Sequence, residues 1–147
     1  MINRFSRILI LFVSLVLVSP LSYSQTEIAA RIIVTTGKVE VVRANGNREL
    51  LQRRSAISVG ETVETPADGA AQLRFVDDAP VALGCASKLR VNAYSYGQVD
   101  TDQAELVLLA GNLRSIFGEI EAASYRLRIA DSVVQGGARD FEVTLRA

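Results

Sequence analysis

Gly69-Ala70-Ala71-Gln72-Leu73-Arg74-Phe75-Val76-Asp77 decides the class of this fold. Leu73 and Phe75 alternate with Gln72 and Arg74. A period of two sends apolar side chains to one face of an extended chain and polar ones to the other, the mark of a half-buried strand. Helical spacing fits the window poorly, and Asp68-Gly69 just before it is a turn signal.

The same alternation recurs on both sides. Val39 and Val41 lie among Lys38, Glu40 and Arg43; Val81 and Leu83 make a short step; Leu89 and Val91 alternate with Lys88 and Arg90. Leu106 and Leu108 follow Glu105, Leu127 and Ile129 alternate with Arg126 and Arg128, and Phe141, Val143 and Leu145 alternate with Glu142, Thr144 and Arg146. Only Leu106–Phe117 also fits a helix, and Gly111 and Asn112 inside it argue for a turn. Thr26–Arg31 reads equally as a short helical or an extended lead-in. Asn45-Gly46 is the strongest hairpin signal, because both residues tolerate φ > 0. Thr65-Pro66 ends a strand, since proline cannot donate to a ladder. Gly84, Gly97, Gly111 and Gly118 punctuate the rest at a loose rhythm that suits stacked strand–turn units or an ordinary sandwich. The expectation is an all-β domain, a solenoid-like or jelly-roll stack of short strands.

Residues 1–24 read as a signal peptide. Arg4 and Arg7 supply the positive start, Ile8–Val18 is apolar but for Ser14, and Pro20 stops a helix. Ser22-Tyr23-Ser24 places small residues at −3 and −1, so Gln25 is the expected mature N-terminus. The rival is an uncleaved anchor, but the 11 residues of Ile8–Val18 fall short of the ~20 that a bilayer span needs. With no cysteine after the apolar run, a lipoprotein anchor is not expected. The organisation is therefore a leader over 1–24, a lead-in over 25–33 and a β domain over 34–147. The expected location is the periplasm or beyond it, without a stable membrane span once the leader is removed.

Composition narrows the chemistry. The chain of 147 residues carries 16 basic and 16 acidic side chains. Arg4 and Arg7 belong to the leader, so without it 14 basic face 16 acidic residues, a formal charge of −2. No positive field forms that would neutralise phosphates, and nucleic acid is not an expected partner. Histidine is absent, which removes the commonest general base and transition-metal ligand and any Ser–His triad. The single cysteine, Cys85, permits neither an internal disulfide nor a Cys/His zinc site.

The remaining candidates are few. Arg53-Arg54 and the tyrosines Tyr94 and Tyr96 are the candidate partner-binding residues: a basic step suits an anionic partner, and tyrosine combines an apolar body with a polar tip. The plainer alternatives are a polar turn and a half-buried rim. Asp77-Asp78 reads as a turn with solvated carboxylates, because acid–base or metal work needs a further partner. Asp100 and Asp102 read as a solvated loop rather than a calcium site. Cys85, in Val81-Ala82-Leu83-Gly84-Cys85-Ala86, reads as a buried inert thiol. Ser87 and Lys88 are adjacent on a strand and face opposite ways.

Ordered fragments across residues 34–145 resemble the FecR domain family. Gly37-Lys38-Val39-Glu40-Val41 is similar to its G-x-V-x-V opening, and Val59-Gly60-Glu61-Thr62-Val63-Glu64-Thr65 to its V-G-D-x-V-x-T step. Gly69–Asp77 resembles G-x-A-x-L-x-F-x-D, Leu89-Arg90-Val91 fits the next strand, and Leu106–Leu113 resembles L-x-L-x-x-G-x-L. Tyr125–Ile129 and Phe141-Glu142-Val143 resemble the closing strands. The chain departs at Asp77-Asp78, where the family has D-G, at Ile129-Ala130-Asp131-Ser132 for T-P-x-A, and at Gly137-Ala138-Arg139 for R-G-T. The resemblance implies a stand-alone exported member without the cytoplasmic sigma-regulator segment. Its implied function is non-enzymatic binding or signalling towards an envelope protein or envelope ligand, without cofactor or metal. Two alternatives stay open. One is a structural or assembly subunit that pairs through strand edges, as a homo-oligomer or with a partner. The other is a carboxylate-dependent envelope hydrolase, which needs two acids across one cleft.

Overall fold

The computed structural model describes residues 27–97, 102–135 and 139–145. The expected leader over 1–24, its cleavage point before Gln25, Asp100, and Gly137-Ala138 lie outside the described residues. Among the described residues twelve strands form: β1 Ile28–Thr36, β2 Glu40–Val42, β3 Arg48–Leu50, β4 Ala56–Ser58, β5 Thr62–Glu64, β6 Ala70–Phe75, β7 Pro80–Leu83, β8 Lys88–Ser95, β9 Gln103–Ile116, β10 Tyr125–Ile129, β11 Ser132–Gln135 and β12 Asp140–Leu145. A 3-10 turn, Ala122–Ser124, precedes β10. The described chain is thus predominantly β, a curled half-barrel sheet, and every pairing is antiparallel except that of β9 with β10.

The sheet has two wings that share β9. One runs β3-β2-β5-β8 and ends on the first half of β9; the other runs β4-β1-β6-β7 and ends on its second half. On the opposite edge of β9, β10 pairs with Ala104–Leu108 and β12 with Gly111–Ile116. Chain length requires β9 to bend between them. Tyr125 lies in register with Ala104, nine residues after Ile116. Nine steps reach at most about 32 Å, and fewer through a 3-10 turn. A straight strand from residue 104 to residue 116 would run about 40 Å, beyond that reach. Between the two pairings the register against β8 skips Leu109, and Gly111 takes a φ of 79° that L side chains rarely adopt. Ser87 packs against this stretch: its hydroxyl donates to Asn112 O at 3.0 Å and accepts from Asn112 N–H at 2.9 Å. The window that also fitted a helix, Leu106–Phe117, therefore lies up to Ile116 within the longest strand of the sheet, and Gly111 sits inside that strand rather than at a boundary between units.

The expected alternation appears as burial. Val41, Leu73, Phe75, Val81, Leu83, Leu89, Val91, Leu106, Leu108 and Leu127 line the core between the wings. Each fully buried aliphatic side chain contributes roughly 1.5–3 kcal/mol of transfer free energy, opposed by the entropy of ordering it. Phe141, Val143 and Leu145 point the same way but are only partly buried, because β12 has no strand beyond it among the described residues. The segment read as a lead-in is instead integral. β1 pairs with both β4 and β6 and buries Ala29, Ala30 and Ile32. Its alternation is hidden by register shifts between Ile28 and Ala30 against β4 and between Ile32 and Val34 against β6. Asn45-Gly46 turns β2 into β3, with Arg43 N–H donating to Asn47 O at 2.8 Å. Asp68-Gly69 is also a turn, but it carries the chain from one wing to the other.

Candidate interaction face

The outer face of β1 and β6 exposes an unusual combination. Arg31 and Arg74 stand directly opposite each other across the antiparallel pair. Like charges in that relation are destabilising. Beside them Ile28, Ile33 and Val76 are 40–46% exposed. With Ala30 and Phe75 these residues line an open apolar groove of about 360 Å³. Among the described residues Arg74 pairs with one acid, Asp78, at a long 3.8 Å, and Arg31 Nη1 reaches the backbone oxygen of Arg54 at 3.4 Å.

The neighbouring wing treats its charges differently. Arg48 Nη2 lies 2.8 Å from Glu40 and 2.5 Å from Glu64, and Lys88 Nζ lies 3.2 Å from Glu64. Arg43 is held by Glu49 at 2.7 Å and by the buried Glu61 at 2.9 Å. The Arg48 hydrogen bond, ahead of Lys88, holds the Glu64 carboxyl below the usual carboxylate range. That surface is neutralised by its own ladder, whereas the arginines of β1 and β6 face solvent with little compensation.

Two of the four sequence candidates lie beside β1, on the edge away from β6. Arg53 and Arg54 are exposed in the turn between β3 and β4. Hydrogen bonds lay that turn against β1: Arg54 N–H donates to Ile32 O at 2.8 Å and Ile32 N–H to Ser55 O at 3.0 Å. Arg54 adopts φ of 73°, the left-handed region that disfavours a side chain.

The tyrosines are elsewhere. Tyr94 is no rim residue: it is 2% exposed and stacked on Phe75 at 4.4 Å. A register shift between Val91 and Ala93 turns it inward. Its hydroxyl donates to Asp77 Oδ1 at 2.5 Å, and burial followed by that bond pushes its pKa well above the ordinary tyrosine value. Tyr96, further along the chain, is partly exposed and donates to Glu119 Oε2 at 2.7 Å, which pushes its pKa up to about 12. The two tyrosines therefore do not form one contact surface.

Asp77 corrects the expectation of a solvated turn carboxylate. It is 1% exposed, and besides Tyr94 it accepts from Ala79 N–H and Ile120 N–H at 3.3 Å each, while its backbone oxygen accepts from Glu119 N–H at 2.9 Å. It thereby anchors the segment that returns from β9 to β10. Asp78 is the exposed member of the pair, with φ of 64°. Cys85 is also corrected: it is exposed, because the chain leaves the sheet after Leu83 and turns before Ser87. Ser87 and Lys88 do face opposite ways, one buried and one exposed. Among the described residues no three His, Cys, Asp or Glu side chains gather as metal ligands, and no helix is long and apolar enough to cross a membrane.

The β1/β6 face was missed in the sequence because its two arginines lie far apart in the chain. The one available signal was Arg74 inside the alternating stretch. No family model, curated protein or solved structure matches this chain.

Proposed function

We propose that this chain is a non-enzymatic, exported binding or signalling module that recognises an envelope protein through the outer face of β1 and β6. The observation that carries the reading is the opposition of Arg31 and Arg74 beside exposed Ile28, Ile33 and Val76. Placing like charges in register costs stability, and the exposed apolar groove beside them adds a solvation cost. A partner segment with acidic and apolar side chains relieves both. The buried polar groups Asp77, Ser87 and Tyr94 are meanwhile consumed in holding the fold.

With this reading goes the finer architecture, a FecR-like solenoid or jelly-roll stack. Support comes from the bends of the quoted fragments: Gly37, Gly60 and Gly111 have φ of 73°, 87° and 79°. Asp78 holds φ of 64° at the position where the family carries glycine. Asp is among the few non-glycine residues that tolerate this region.

Site-specific photo-crosslinking tests the proposal. A crosslinker at Ile33 is expected to trap one envelope protein, and the product should vanish when Arg31→Glu and Arg74→Glu are added. Equal labelling from a crosslinker at Glu49, on the charge-paired wing, would remove the support. A second reading, self-assembly through strand edges, is favoured by β12, whose Phe141, Val143 and Leu145 are only half covered. Light scattering at rising concentration decides it: a monomer throughout excludes it.

A further inference from the structure

A second surface lies on the other wing and is independent of the β1/β6 face. Arg90 on β8, Val107 on β9, Arg128 on β10 and Val133 on β11 form one cross-strand row, each in register with the next. The two arginines flank Val107, two strand spacings apart, about 10 Å between backbones. The β10–β11 hairpin, which turns at Ala130-Asp131, walls one side of a trough of about 440 Å³. That volume lies within the range of small-molecule sites, roughly 300–1,000 Å³.

The lining is amphipathic. Leu109 and Val133 are 50% and 51% exposed and form, with Val107, an apolar strip. Asn92 and Ser132 add neutral hydrogen-bonding groups at the edges. The lining carries two arginines, Arg90 and Arg128, against one acid, Asp131, with Glu105 beside the trough. Among the described residues Arg128 pairs loosely with Glu105, 3.7 Å from Nε, and Glu105 also accepts from Asn92 at 3.2 Å. Arg90 has no ion pair among the described residues. The lining acid, Asp131, sits in the hairpin turn. A guanidinium fork matches a carboxylate or phosphate with paired N–H donors. A purely ionic ligand would leave Leu109 and Val133 in water, and a purely apolar one would leave the arginines unused.

We propose that this trough binds an anionic amphiphile, its carboxylate or phosphate head between Arg90 and Arg128 and its apolar body along Val107, Leu109 and Val133. The ligand's source is either a free fatty-acid-like molecule or a single lipid drawn from a membrane, and the chemistry recognised is the same.

The test is an NMR titration of the intact chain with decyl phosphate below its micelle concentration. Inorganic phosphate and octyl glucoside serve as head-only and neutral-amphiphile probes, and vesicles containing anionic phospholipid serve as the membrane source. Saturable shifts are expected at Val107, Leu109 and Val133 with decyl phosphate, and much weaker ones with either control. Arg90→Gln and Arg128→Gln should each weaken binding about tenfold, as expected for loss of a charge-assisted bond at an exposed site. Both arginines are on the surface, so the variants should keep the parent melting temperature. Vesicles that produce the same shifts identify a membrane lipid as the source; shifts with the soluble probe alone identify a free ligand. Equal binding of octyl glucoside, unchanged affinity in the double variant, or shifts confined to Ile28, Ile33 and Val76 would each overturn the proposal.

Discussion

Replacing Asp77 with alanine should unfold the return from β9 to β10 before anything else. The carboxyl group is buried and satisfies the Tyr94 hydroxyl and the Ala79 and Ile120 amides. Alanine leaves three buried donors without that acceptor. An orphaned buried donor costs about 1–3 kcal/mol, and the two 3.3 Å bonds belong at the low end. The expected loss is therefore about 3–5 kcal/mol, a large part of the ~5–15 kcal/mol that holds an ordinary domain together. At this chain length that lowers the melting temperature by roughly 15 °C. Asp77→Asn keeps one acceptor oxygen and should cost about 1–2 kcal/mol. Asp78→Ala, one residue on but exposed, should change stability by less than about 0.5 kcal/mol, apart from the easing or worsening of its positive φ. Urea titration read by circular dichroism and tyrosine fluorescence measures all three, since the chain has no tryptophan. A double-mutant cycle with Tyr94→Phe should return a coupling energy of about 1 kcal/mol or more. If Asp77→Ala cost no more than Asp78→Ala, the assignment of Asp77 as the anchor of this segment would be wrong.

Gly111→Ala should be severely destabilising, by about 2–4 kcal/mol in urea titration, because its Cβ would meet Ser87 Oγ and Ser87 Cα (2.5 Å away) at a φ of 79°. Stability should decline at alkaline pH: burial and the bond to Asp77 raise the Tyr94 pKa, so the folded chain keeps a proton that the unfolded chain loses above about pH 10. That contribution is complete below pH ~10 and is lost as pH rises beyond it, which melting curves across the range will show. Cys85 should react with a thiol reagent in the native state nearly as fast as in urea, and protection from reagent would contradict its exposure. Arg74→Glu should raise stability by about 0.2–1 kcal/mol at low salt by placing opposite charges in register with Arg31, while abolishing partner crosslinking from Ile33. A variant that lost both stability and crosslinking would assign Arg74 a structural role.

Period-two alternation made the strands at Leu73–Phe75, Val81–Leu83, Leu89–Val91 and Leu127–Ile129 legible without coordinates, because side-chain direction in an extended chain is a property of neighbouring residues. The hairpin at Asn45-Gly46 was legible for a similar reason, since the left-handed backbone it needs is a preference of those residues themselves. Pairing partners were not. Whether β9 is one bent strand, whether β10 runs parallel to it, and whether Arg31 meets Arg74 depend on which distant segments bury each other's apolar faces. The same limit explains the corrected residues. Asp77 looks like a surface carboxylate until Tyr94 and the 119–120 backbone arrive from far along the chain to donate to it. Cys85 looks buried until the exit of β7 from the sheet leaves it in a turn. The sequence alone determined that this chain extends, alternates and turns. Tertiary structure alone decided which polar groups were drawn into the core and which arginines were brought together on its surface, because those outcomes depend on contacts between residues that no local pattern links.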